Sequence, residues 1–177
     1  MASGIERRRF ALIVLAIVAL DLVTKLIAVR ALPPYLGVRL LGDAFQLRLV
    51  YNAGAAFGLN LGDHSRWIFM GLSVAAIAVL ISMLRTTRSG DWLRLYALAA
   101  ICAGALGNLI DRVRSARGVV DFLDVGVGAL RWPTFNVADM AVTCGAVALA
   151  LSLWGEGKKA AEAGPAPEPG ASPPPSV

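Results

Sequence analysis

Four long apolar stretches dominate this chain, each near the roughly 20 residues that an α-helix needs to cross a bilayer. They run over about residues 10–29, 67–84, 93–111 and 137–154, and little outside them could build a second core. Composition agrees: 57% of the 177 residues are hydrophobic and 16% charged, against about 45–50% and about 25% in soluble domains. A water-soluble globule is excluded. The fold class is an all-α polytopic membrane protein, with one membrane domain over residues 1–155. Residues 156–177 are rich in Ala, Gly, Pro and Ser, and read as a disordered cytoplasmic tail.

The first stretch carries the basic flank and apolar core of a signal peptide, but its apolar pattern continues past Asp21 and Lys25 to a full span. Trp92, Tyr96 and Trp154 stand where interfacial aromatics are expected. The net charge of +5 is not a nucleic-acid signal, because the Arg residues are scattered between apolar segments and form no basic face. Cys102 and Cys144 both lie inside apolar runs, so no disulfide framework is indicated.

Lys and Arg divide almost evenly between the two sides, and Arg7, Arg8 and Arg9 immediately before the first span decide the orientation. Both termini are then cytoplasmic, and the loops 30–66 and 112–136 lie on the outer face. The acids and amides do not divide evenly. Asp21, Asp43, Asn52, Asp63, Asn108, Asp111, Asp121, Asp124, Asn136 and Asp139, together with Lys25 and His64, all fall at or near the outer side, whereas Asp91 is the only acid between spans opposite them. This asymmetry points to a one-sided site at the outer interface. Within the outer loops, Phe45–Tyr51 alternates in the manner of a half-buried strand, and Val119–Val125 is a second short strand.

Several polar residues need a physical reason. Asp21 and Lys25 are four apart, on one helix face and with the acid first, the favourable order for an ion pair. Asp139 falls in the first turn of the last span, where a helix N-terminus favours a carboxylate. Asp121 is flanked by Val119, Val120, Phe122 and Leu123, so its carboxyl is partly desolvated and its pKa is raised. Two such carboxyls brought together would share a proton: the ionised one takes a proton from water while the protonated one polarises a carbonyl. The spacing alone leaves Asp111, Asp121, Asp124 and Asp139 as alternative members of that pair, or as structural acids.

Other chemistries lack parts. His64 is the only histidine and no Gly-x-Ser-x-Gly elbow is present, which leaves Ser/His, Cys/His and zinc schemes incomplete. Carboxylate-bound Mg²⁺ or Ca²⁺ stays open as an alternative. So does a small channel or transporter with an acidic outer vestibule, although the second span offers little polar lining beyond Ser73 and Ser82.

Five motifs follow in order: Asp21-Leu-Val-Thr-Lys25, Asn52-Ala-Gly-Ala-Ala-Phe57, Gly104-Ala-Leu-Gly-Asn108-Leu-Ile-Asp-Arg112, Val119-Val-Asp121-Phe-Leu-Asp124 and Phe135-Asn-Val-Ala-Asp139. Together, over residues 10–155, they resemble the bacterial lipoprotein signal peptidases, the signal peptidase II family. The resemblance implies four transmembrane helices with a small extracytoplasmic β-cradle and a short periplasmic helix. It also implies an aspartic endopeptidase of the bacterial inner membrane, without cofactor or metal, that cuts lipidated prolipoproteins before the diacylglyceryl-cysteine and is sensitive to globomycin-type peptides.

By motif, Asp121 and Asp139 would be the catalytic dyad. Asn52, Gly54, Asn108, Arg112, Asn136 and Ala138 would surround it, and Asp21 and Lys25 would form the polar pair of the first helix. Asp111 and Asp124 would be supporting. Where the family commonly has an aromatic residue or His before Trp-Pro, this chain has Arg131-Trp132-Pro133, a departure that bears on loop contacts and not on the dyad. Membrane lipids and lipidated precursors are the implied partners, nucleic acid is not, and nothing requires more than a monomer.

Overall fold

The computed structural model describes residues 2–34, 36–54 and 62–162. It contains four long helices, α1 (Gly4–Ala31), α2 (Ser65–Thr86), α3 (Trp92–Arg114) and α4 (Val137–Glu162). Strands β1 (Gly37–Leu41) and β2 (Phe45–Asn52) lie between α1 and α2, and β3 (Val119–Val127) and β4 (Leu130–Arg131) between α3 and α4. Among the described residues, four helices are long and apolar enough to cross a membrane.

All four helices overrun the spans expected from hydropathy, and at the starts of α1 and α3 the cause is a polar cap, invisible to an apolar count. α1 begins early on a capping box: the Ser3 hydroxyl accepts from the Glu6 amide at 3.2 Å, and the Glu6 carboxylate accepts from the Ser3 amide at 2.5 Å. It stops before Pro33-Pro34, where the residue preceding a proline is pushed out of helical geometry. α3 is capped by Asp91, whose side chain accepts from the Arg94 amide. The chain end departs from expectation too: α4 continues to Glu162, so residues 156–162 are helical where a disordered tail was expected. Residues 163–177 of that tail lie outside the described residues.

α3 is the central helix and packs against each of the other three. Small residues permit the close approach. Gly107 faces the Asp21 side chain and Ala138, and a Cβ there would meet Asp21 Oδ2 at 2.6 Å. Below this level Phe10, Leu80, Leu84, Leu95, Leu98 and Cys102 form a buried apolar cluster. Leu12, Leu15, Leu72, Val79, Val147 and Leu151 point outward, as lipid-facing side chains do. Both cysteines are free thiols, Cys102 buried and Cys144 exposed.

The four strands form one antiparallel sheet in the order β1-β2-β3-β4, so the two interhelical segments meet at one end of the bundle. The pairing of β2 with β3 runs from Phe45↔Val125 to Asn52↔Val119 and is interrupted by a bulge between Leu47 and Val50. Gly118, at φ +96°, lies so close to the Asn52 backbone that only a residue without a side chain fits there. β3 is longer than the expected strand by two residues, and an added bridge, Leu123↔Phe135, ties it to the start of α4. Of the short helix expected over the site, the described residues contain a single 3-10 turn, Gly62–His64, leading into α2. Ala55, Ala56 and Phe57 of the second motif lie outside the described residues.

Candidate active site

The alternation of a strand sorts the acids of the fourth motif. Residues two apart on β3 share a face, and Val119, Asp121 and Val125 all line a cavity of about 850 Å³ between the sheet and α4. Asp124, three residues from Asp121, falls on the opposite face, buried against Arg131 and Arg48. An acid and its near neighbour in sequence are thus separated by the strand itself.

Asp139 reaches the same cavity from α4. A reciprocal cap fixes it: the Asp139 amide donates to Asn136 Oδ1 at 2.9 Å, and the Asn136 amide donates to Asp139 Oδ2 at 3.1 Å. Amides then link the two carboxyls. Asn136 Nδ2 donates to Asp121 Oδ1 at 2.7 Å, Asn52 Nδ2 donates to Asp121 Oδ2 at 3.1 Å, and Asn108 Nδ2 donates to Asp139 Oδ1 at 2.9 Å. Asn136 is fully buried, with its Nδ2 also 3.2 Å from Asn108 Oδ1, so the three asparagines form one connected network around the acids.

Behind this layer lies an ionic one. Lys25 Nζ is 2.8 Å from both Asp21 Oδ2 and Asp111 Oδ2, and donates to Asn108 Oδ1 at 3.1 Å. Asp21 Oδ1 accepts from the Ala138 amide at 2.9 Å, one of the orphan donors at the start of α4, and Asp111 Oδ2 accepts from the Val120 amide at 3.2 Å. Through these bonds the ion group fastens α1 and α3 to the strand bearing Asp121 and the helix bearing Asp139. Arg112 is buried, donates through Nη2 to the Gly54 carbonyl at 2.9 Å and through Nη1 to the Asn108 carbonyl at 3.3 Å, and lies over the Phe69 ring. The Gly54 amide in turn donates to Asn52 Oδ1 at 3.0 Å.

Asp21, Lys25, Asn52, Gly54, Asn108, Asp111, Arg112, Asn136 and Ala138 therefore sit in or directly against the cluster around Asp121 and Asp139, whereas Asp124 lies apart from it on the other face of β3. What the sequence reading missed is the wall. Met140, Thr143 and Cys144 line the cavity from α4, at the three- and four-residue spacing that marks one helix face and would have revealed them. Arg66, from the first turn of α2, caps α3 by donating to the carbonyls of Arg112 at 2.7 Å and Val113 at 3.2 Å.

Electrostatics distinguish Asp121. Its carboxyl is pushed up from 3.8 to about 7, first by desolvation and then by the neighbouring charge of Asp139. Hydrogen bonds from Asn52 and Asn136 and the charge of Lys25 pull the other way and lose. A carboxyl with that affinity can hold or release a proton near neutrality, beside a second carboxyl, in a cavity whose rim includes the exposed side chains of Trp132 and Met140. This is the requirement for water activation by an acid pair.

The profile of the family described as "Signal peptidase (SPase) II" matches residues 13–155. A lipoprotein signal peptidase of Oleidesulfovibrio alaskensis is 40% identical over 146 residues, covering 81% of this chain and 92% of that protein. One of Burkholderia pseudomallei is 45% identical over 139 residues, covering 76% and 81%. Two solved bacterial membrane enzyme structures share the fold, with TM-scores of 0.78 and 0.73 at 26% and 28% identity. The first covers 85% of this chain and 90% of its own, the second 82% and 92%.

Proposed function

The chain belongs to the signal peptidase II family, and on that premise we propose that Asp121 and Asp139 are the acid pair with which it removes signal peptides from prolipoproteins. The observation that carries the assignment is the way these two carboxyls are held. Both face one cavity, and both are gripped by amides, with no cation within ion-pair distance among the described residues.

The chemistry follows from that arrangement. The pair shares one proton. A water placed between them gives a proton to the ionised carboxylate as its oxygen attacks the scissile carbonyl carbon, and the protonated carboxyl donates to the carbonyl oxygen. Collapse of the tetrahedral species returns that proton to the second carboxyl, breaks the C–N bond and passes the first proton to the leaving amine. No covalent acyl-enzyme forms. The two pKa values belong to the pair and not to either residue. Asn and Arg112 donors border the place where the oxyanion develops.

The remaining expectations are part of the same proposal. Arg7, Arg8 and Arg9 put both termini in the cytoplasm, and the sheet and cavity at the outer face of the bacterial inner membrane. Residues 1–155 act as one membrane protease domain. A diacylglyceryl-cysteine approaches sideways, its acyl chains remaining among apolar side chains, and each buried CH₂ contributes about 0.8 kcal/mol. Cleavage is sensitive to globomycin-type peptides.

The test compares a lipidated precursor with its unlipidated form, using purified enzyme in lipid. Cleavage before the lipidated cysteine, with the unlipidated form turned over far more slowly, supports the reading. Equal turnover of both would contradict lateral lipid binding, and absence of cleavage would remove the assignment of the pair.

A further inference from the structure

We propose that Arg131 is a positioning residue, which holds the Trp132–Phe135 wall of the substrate cavity by anchoring its near end to the back of the sheet. The inference rests on the proteolytic reading above and adds a binding determinant to it.

Arg131 ends β4, and its guanidinium reaches behind the sheet. Nε is 2.7 Å from Asp124 Oδ1, Nη2 lies 3.4 Å from the Asp124 carbonyl, and Nη1 donates to the Asp43 carbonyl at 3.0 Å. Asp43 belongs to the β1–β2 turn, and its carboxylate accepts from the Gly128 amide at 2.6 Å and from Gln46 Nε2 at 2.7 Å. One side chain therefore joins the tips of both hairpins to an acid that is only 2% exposed. Arg48 stands 3.3 Å from the other Asp124 oxygen. The fork of an arginine suits this task, because it serves a carboxylate and a carbonyl at once in fixed geometry.

From Arg131 the chain crosses directly to the front. Trp132, Pro133, Thr134 and Phe135 all line the cavity that holds Asp121 and Asp139. This wall is fastened at two ends by different means. At the near end are the Arg131 group and the Trp132 amide, which donates to the Val125 carbonyl at 2.8 Å. At the far end the Phe135 amide donates to the Leu123 carbonyl at 3.0 Å, and the Phe135 carbonyl accepts from Leu123 and Phe122. Pro133 between them has no N–H to add. Asp139 follows the far anchor, so releasing the near one loosens the substrate wall without moving the acid pair. The consequence is an effect on substrate binding and not on the chemical step.

The test measures cleavage of a lipidated precursor by Arg131→Ala, Arg131→Lys, Asp124→Asn and the double variant Arg131→Ala/Asp124→Asn. Arg94→Ala serves as a control, since it breaks an exposed ion pair at the other end of the bundle. For Arg131→Ala, KM is expected to rise about tenfold with kcat within about twofold, the scale of one lost charge-assisted contact. Arg131→Lys recovers part of that loss. The double variant is no worse than the worse single one, because both remove the same contact. Amide exchange gives a readout independent of cleavage: in Arg131→Ala the Trp132 amide exchanges faster while those of Phe135 and Asp139 keep their protection.

Additive effects of the two substitutions would overturn the proposal, as would a fall in kcat at constant KM, an equal rise in KM for Arg94→Ala, or loss of protection across the whole segment. Failure of the unmodified enzyme to cleave the precursor would instead count against the proteolytic reading, and the exchange measurement would still decide whether Arg131 anchors the wall.

Discussion

Five carboxylates at the sheet end of this molecule form two groups that differ in what holds them. Asp21 and Asp111 share Lys25, and Asp124 is gripped by Arg131 and Arg48. Asp121 and Asp139 are held by Asn52, Asn108, Asn136 and a backbone amide. A cation at ion-pair distance strongly favours the ionised carboxylate. A neutral amide fixes where the oxygens lie while leaving the proton free to come and go. The first group is thereby suited to fastening helices and strands together, and the second to moving protons. Asn108 is the seam, since its oxygen accepts from Lys25 and its nitrogen donates to Asp139.

The largest expected effect tests the amide-held pair. Asp121→Asn and Asp139→Asn should each lower cleavage of a lipidated precursor by at least about 10³-fold, while membrane insertion and yield stay near normal. Asp124→Asn, which changes an acid of the other group, should keep measurable activity. Comparable losses from all three would erase the distinction between the groups.

Lys25→Met breaks the comparison from the ionic side. It leaves two carboxylates buried without their cation, a change that costs about 3–5 kcal/mol when one partner of a buried pair is removed. The expected result is a large fall in thermal unfolding midpoint and in yield, with activity falling in proportion to folded protein. A well-folded but inactive variant would move Lys25 into the chemistry.

Asn108→Ala acts on the seam. The Asp139 carboxylate loses one donor and Lys25 one acceptor, and kcat should fall about 10- to 100-fold, the scale of a lost hydrogen bond to a charged group. The unfolding midpoint should change less than in Lys25→Met.

The smallest effect is in pH. With Asp121 raised from 3.8 to about 7, the shared proton is lost as pH rises through that value, so kcat/KM should decline above about pH 7. Stability moves in the same sense. Between those two values the folded state binds more protons than the unfolded chain, so stability from this group is present below about 4 and is lost as pH rises through about 7. Asp121→Asn should flatten that part of the unfolding profile, which a pH series of thermal melts will show.

The motif resemblance alone pointed to the residues around Asp121 and Asp139, whereas hydropathy and spacing identified the four spans, the end of the bundle that carries the acids and both main strands. These are local properties: an apolar run must be buried in lipid wherever it occurs, and a desolvated Asp is marked by its own neighbours. Helix ends were less legible, since Ser3, Glu6 and Asp91 extend α1 and α3 by caps that hydropathy does not weigh. Even the separation of Asp121 from Asp124 lies within reach of sequence, because residues three apart on a strand face opposite ways.

Partnership was not legible. That Lys25 serves Asp111 as well as Asp21, that Asn136 reaches Asp121, and that Arg131 reaches both Asp124 and Asp43 depend on which segments the β2–β3 pairing and the α3–α4 packing bring together. The sequence alone established that these acids exist at one end of a membrane bundle. Only the tertiary structure decided which of them meet a cation and which meet an amide, because that choice is made across tens of residues of chain by packing, and it is this choice that separates a structural carboxylate from one able to trade a proton.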